Sequence, residues 1–112
     1  MNIILQMWNK PQKLKVVFDL SPKEPSTREQ VQAFNYFLRN KKKIIAEIEE
    51  IVNKDLGENP LNIIIPKIFY IQKNKNRVVG IICDNKNDLE NDYVIIIENE
   101  KMIKIGTRAD LL

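Results

Sequence analysis

Two segments in the second half of the chain carry apolar residues without interruption: Val78-Val79-Gly80-Ile81-Ile82-Cys83 and Tyr93-Val94-Ile95-Ile96-Ile97. A strand with one face in water alternates apolar and polar residues, so continuous runs predict a sheet covered on both faces. Residues 67–72 precede them and residues 102–106 follow, with polar loops at 73–76, 85–92 and 99–101 between. Hairpins at this spacing predict an antiparallel meander. Pro66 closes the apolar stretch 62–65, because proline cannot donate to a central ladder.

The first half changes period. Residues 2–8 and 13–20 are β-prone runs separated by Asn9-Lys10-Pro11-Gln12, which predicts an N-terminal hairpin. Lys13 and Lys15 alternate with Leu14 and Val16, the pattern of an edge-type strand with one wet face. Residues 21–25 read as a loop. Ser26 and Glu29 then stand three apart, as a capping box requires. Val31, Phe34, Phe37 and Leu38 form one helical stripe, and Asn40 breaks the helix. A second helix repeats Ile44, Ile45, Ile48, Ile51, Val52 and Leu56, with Glu47, Glu49 and Glu50 opposite and Gly57 as its stop. The expected fold is α+β: one domain over residues 1–112, an antiparallel β-meander with a helix pair packed on one face and an N-terminal β-hairpin.

Four strands make a face about 20 Å wide, and two helices of ~10 Å each cover one such face. One face is expected to carry Val79, Ile81, Cys83, Val94 and Ile96. The other is expected to carry Val78, Ile82, Tyr93, Ile95, Ile97, Ile103 and Ile105. The hairpin either folds over this second face or extends the sheet at its edge. In the latter case an apolar face is left for a partner, including a homodimer through that face.

Composition narrows the chemistry. The chain is globular in balance, 44% hydrophobic and 29% charged, with a net charge of +3. The excess lies in the first half, at Lys10, Lys13, Lys15 and Lys41-Lys42-Lys43. Nucleic-acid binders concentrate such charge with Arg and aromatics, whereas this lysine triplet leads straight into helical glutamates. Cys83 is the single cysteine and sits in an apolar strand, the setting of a buried hydrophobe. Without histidine there is no Ser-His or Cys-His pair, and Glu47, Glu49 and Glu50 lie on a polar helix face. No catalytic residue, metal ligand or cofactor site is assigned. No apolar run reaches the 18 residues of a membrane span and no signal peptide is legible, so a cytoplasmic location is expected.

The loop from Asp84 to Asp92 has acidic residues at alternate positions but fails as a calcium loop. Lys86 replaces an oxygen ligand, Leu89 replaces the turn glycine, and Ile95 stands where a bidentate Glu belongs. Asp84, Asp88, Glu90 and Asp92 are instead the candidate contacts for a basic partner. The order Pro25-Ser26-Thr27-Arg28-Glu29-Gln30, Ala33-Phe34-Asn35-Tyr36-Phe37-Leu38, then Gly80-Ile81-Ile82-Cys83-Asp84, Tyr93-Val94-Ile95 and Ile105-Gly106 resembles a bacterial family of unknown function. The resemblance runs from about Val16 to Leu112. That family pairs two helices with a C-terminal meander and is found beside polymorphic toxins, where many such domains are immunity proteins. Its Trp-Asp-x-Glu-His-Gly-Leu segment is degenerate here, reduced to the Asp84–Asp92 loop, so no site carries across. The resemblance implies a non-enzymatic protein that binds a cognate toxin. The alternative is a nucleic-acid-binding module or an uncharacterised enzyme using the Lys-rich first half.

Overall fold

The computed structural model describes residues 1–19, 26–73, 77–99 and 101–111. The loop expected at 21–25, residues 74–76 of the expected 73–76 turn, and Glu100 lie outside the described residues. Six strands form one sheet in sequence order: β1 (Asn2–Met7), β2 (Lys10–Phe18), β3 (Ile64–Ile71), β4 (Val78–Asn85), β5 (Tyr93–Glu98) and β6 (Met102–Gly106). Between β2 and β3 stand α1 (Arg28–Arg39), α2 (Lys41–Leu56) and a 3-10 turn, Pro60–Asn62; α3 (Arg108–Leu111) follows β6. The architecture is α+β, with the hairpin, helix pair and antiparallel meander that the hydrophobic pattern predicts. No helix among the described residues is long and apolar enough to cross a membrane.

The hairpin extends the sheet. β1 and β2 pair antiparallel around a two-residue turn, Trp8-Asn9, in which both residues have positive φ (52° and 61°). That places Pro11 inside β2, opposite Gln6, rather than in a turn over 9–12. β2 then pairs with β3 in parallel, the one parallel contact of the sheet, because the helix pair supplies the crossover such a pair needs. β2 is therefore an inner strand; the Lys13/Lys15 alternation reflects one wet face, and β1 is the edge.

β3 begins earlier than Pro66 implies. It pairs with β4 from Ile64 onward, and the register shifts between Pro66 and Ile68. The irregularity accommodates the residue that lacks an N–H in an inner strand. The helix break falls at Asn40, which ends α1 and starts α2 with φ −115° and ψ 18°. Its side-chain amide donates to the Tyr36 carbonyl at 3.0 Å. The capping box is one residue later than Ser26/Glu29: Thr27 accepts from the Gln30 amide at 3.1 Å, and the Gln30 side chain accepts from the Thr27 amide at 2.9 Å. Val31, expected on the apolar stripe, is exposed, while Ala33 and Phe37 are buried.

The two faces divide differently from the expectation. Val79 faces Ile97, Ile81 faces Ile95 and Cys83 faces Tyr93 across the β4–β5 ladder. Directly opposed residues share a face. Tyr93, Ile95 and Ile97 thus join Val79, Ile81 and Cys83 beneath the helices, with Phe69, Ile71, Phe37, Ile48 and Val52. Val94 and Ile96 join Val78 and Ile82 on the outer face, with Tyr70. That outer face is not closed by the hairpin, which extends the sheet instead. Leu111 of α3 is fully buried against it, over Gly80.

Candidate functional site

The β4–β5 loop is built by short-range hydrogen bonds from its own Asn and Asp side chains. Asn85 Oδ1 accepts from the Asn87 amide at 2.9 Å, and Asp88 Oδ1 accepts from the Glu90 amide at 3.2 Å. Asn91 Nδ2 donates to Asp88 Oδ2 at 3.0 Å. Sequence dictates this, since Asx side chains mimic a turn by bonding the backbone two residues on. The loop is anchored at both ends. The Lys86 amide donates to the Ile63 carbonyl at 2.8 Å, and Asp92 Oδ2 takes Nη2 and Nε of Arg108 at 2.7 and 2.8 Å.

Of the four predicted contacts, Asp84, Asp88 and Asp92 converge with Ile65 and Leu89 around a depression of about 260 Å³. Glu90 is exposed and lies outside that lining. Two of the four carboxylates are engaged within the chain: Asp88 holds the turn, and Asp92 holds α3. The Asn91 side-chain donor, followed by the backbone amides of Glu90 and Asn91, holds the Asp88 carboxyl below the usual carboxylate range. Asp84 and Glu90 present their charge to solvent. Leu89, next to Glu90 in the loop, is 92% exposed. Among the described residues no group of His, Cys, Asp or Glu is arranged to hold a metal ion.

Cys83 is buried where the strand pattern placed it. Desolvation, and then the charges of Asp84 and Asp92, push its thiol well above the ordinary value, away from the thiolate a nucleophile needs. Lys13 and Lys15 lie on the outer face of the sheet, opposite Ile4 and Asn2, while Lys41, Lys42 and Lys43 begin α2. The basic residues of the first half are thus divided between the sheet and the helix layer.

One feature escaped the residue-type reading. Trp8 is only partly buried; it lines a crevice of about 400 Å³ with Asn53, Asn59, Asn62 and Glu49. Its amide donates to Glu49 Oε2 at 2.6 Å and its indole N–H to Asn53 Oδ1 at 2.9 Å. The available signal was Trp-Asn as a two-residue turn between β-prone runs, which forces a bulky residue to positive φ. A scan against models of known protein families, a search of curated proteins and a search of solved structures find no match to this chain.

Proposed function

We propose that this chain is a non-catalytic binding protein of immunity type, which neutralises a cognate bacterial toxin in the cytoplasm by direct contact through the β4–β5 loop. The observation that carries the reading is Leu89, 92% exposed in a loop tied down at both ends. A large apolar side chain held in water is stabilised by a partner that desolvates it, and a preordered loop loses little entropy on binding. Flanked in sequence by Asp88 and Glu90, and sharing a depression with Asp84, it fits a pocket with an apolar floor and a basic rim. The resemblance of the helix pair and meander to domains found beside polymorphic toxins supports the choice of partner.

The test is co-expression with the product of the gene immediately upstream. The expected result is relief of the growth defect that product causes and recovery of a stable complex. Leu89→Lys should weaken the complex by about 30-fold or more, the scale of a hot-spot loss. No complex, or no relief of growth arrest, overturns the immunity reading. A complex that Leu89→Lys leaves intact overturns the assignment of the loop.

A further inference from the structure

β1 is the outermost strand, and among the described residues nothing pairs with its outer side. Natural sheets blunt such an edge with charge, proline, a bulge or a covering helix, and here α2 lies beside the edge across a groove. Within β1 itself there is no charge, proline or bulge: Asn2–Met7 reads NIILQM and pairs with β2 at every position without a register shift. At the other edge, β6 carries Lys104.

Register decides which backbone groups point outward. The Val16 amide donates to the Met1 carbonyl at 2.9 Å, so these two residues form a hydrogen-bonded pair. Such pairs alternate along an antiparallel ladder, so Ile3, Leu5 and Met7 turn their amides and carbonyls toward β2. Asn2, Ile4 and Gln6 turn theirs to the open edge.

We propose that this edge is an interface between two copies of the chain, with β1 paired antiparallel to β1 of the second copy about a two-fold axis at Ile4. In that register Ile4 faces Ile4, Asn2 faces Gln6, and Ile3 faces Leu5. All three outward-pointing residues then exchange backbone hydrogen bonds. Ile4, already 60% exposed, meets its own equivalent, and the Asn2 and Gln6 amides meet on the same face. No charged side chain is opposed within the strand pair. The contact is isologous and closes at two copies, giving one continuous sheet.

Charge beside the edge fits the same axis. Ile4, Gln6, Lys41, Lys42, Ile45 and Glu49 line a groove of about 370 Å³. Glu49 accepts from the Trp8 amide just past the end of β1, while Lys41 and Lys42, about two turns earlier in α2, line the groove with Ile4 and Gln6, so α2 runs opposite to β1. A two-fold axis at Ile4 sets the lysine end of one groove against the Glu49 end of the other. Lys41, Lys42 and Lys43 occupy the first turn of α2 with no acidic residue there, against the helix dipole, which a facing carboxylate offsets. The two Lys13 residues stand one strand in from the edge. Across the pair they are three strand spacings apart, about 14 Å, beyond the ~8 Å screening length of physiological salt.

Light scattering on the full chain over a wide concentration range tests this. The mass should rise from 13.2 kDa to twice that value. Ile4→Lys and Ile4→Glu should each stay monomeric where the wild type is dimeric, and their equimolar mixture should regain the doubled mass. A wild type that stays monomeric at every concentration overturns the proposal, as does a dimer indifferent to Ile4→Lys or a mixture that does not recover. Amide exchange on the wild type gives a measurement independent of variants. Asn2, Ile4 and Gln6 should become protected only at concentrations that give the dimer, whereas Ile3 and Leu5 are protected throughout. Equal exchange of Asn2, Ile4 and Gln6 at low and high concentration overturns it.

Discussion

At Gly80 the absence of one carbon decides how the outer face closes. A Cβ built there would overlap the Leu111 methyl groups, so the fully buried Leu111 would have to shift to admit any side chain at position 80. Gly80→Ala is expected to destabilise the fold by about 1–3 kcal/mol through overpacking, and Leu111→Ala by about 2–5 kcal/mol through a cavity. The double variant should lose clearly less than the two combined, because each change removes the reason for the other's cost. Urea denaturation of the four proteins measures this, and strict additivity would show that the two residues do not meet. Tyrosine gives a second check. Burial, then the hydrogen bond and charge of Asp19, push the Tyr70 phenol up to about 12; burial and Asp55 raise Tyr93 as well, its hydroxyl donating to Asp55 at 2.8 Å. The folded state therefore favours the neutral phenols. Their contribution is complete below the ordinary tyrosine value of ~10 and is lost as pH rises through the raised values. In Tyr36→Phe, absorbance titration should show both remaining phenols ionising above pH ~10, accompanied by loss of structure. Ionisation near pH 10 with native circular dichroism retained would refute that packing.

Among elements, the link between α1 and the sheet rests on Gln30, whose role separates what the sequence disclosed from what it concealed. Ser26/Glu29 and Thr27/Gln30 both satisfy the spacing of a capping box. The structure uses the second pair because Gln30 has donors as well as an acceptor. Its Nε2 reaches the Asp19 carbonyl at 3.0 Å and the Ile71 carbonyl at 3.2 Å, which the carboxylate of Glu29 cannot do. These partners lie on β3 and just past β2, so local pattern could not reveal them. Gln30→Ala should cost about 1–3 kcal/mol by removing two hydrogen bonds to the sheet as well as its half of the cap, the Ile71 carbonyl keeping only the Asp19 amide, against about 1 kcal/mol for Thr27→Ala. Thermal melts that rank the two in reverse would place the important bond at the cap rather than at the sheet. The strand runs were legible because their period is local. Their facing was not: the Asn85–Asp92 loop leaves the phase of β5 relative to β4 open by one residue, and a one-residue slip exchanges the two faces. The candidate loop was legible as an acidic segment, but not the engagement of Asp88 and Asp92 within it, which depends on Asn91 nearby and on Arg108 beyond β6.

For the molecule as a whole, continuous apolar strands demanded cover on both faces, and the cover on the outer one is a four-residue helix. α3 escapes a periodicity reading because Arg108–Leu111 has no room for a repeat; its work is done by the single side chain of Leu111. Carboxylates hold it in place. Asp110 Oδ2 accepts the Thr107 amide at 2.8 Å and the Thr107 hydroxyl at 3.1 Å, and Asp92 takes Arg108. The Thr107 backbone amide, then its hydroxyl, and lastly the charge of Lys104 hold the Asp110 carboxyl below the ordinary value. A carboxylate lowered on folding binds its proton more readily in the unfolded chain. Its contribution is therefore complete above the ordinary aspartate value of ~3.9 and is lost as pH falls through the lowered one. Acid should loosen α3 before the helix-covered core gives way, uncovering Val78, Ile82, Val94 and Ile96. The expected signal is a rise in binding of an apolar dye as pH falls below the ordinary aspartate range, with far-ultraviolet circular dichroism still native. Asp110→Asn, whose side chain keeps an acceptor but never a charge, should show weaker α3 docking at neutral pH and a smaller acid-induced rise. Dye binding that begins only with global unfolding, in both proteins alike, would mean that the outer face does not depend on this charge for its closure.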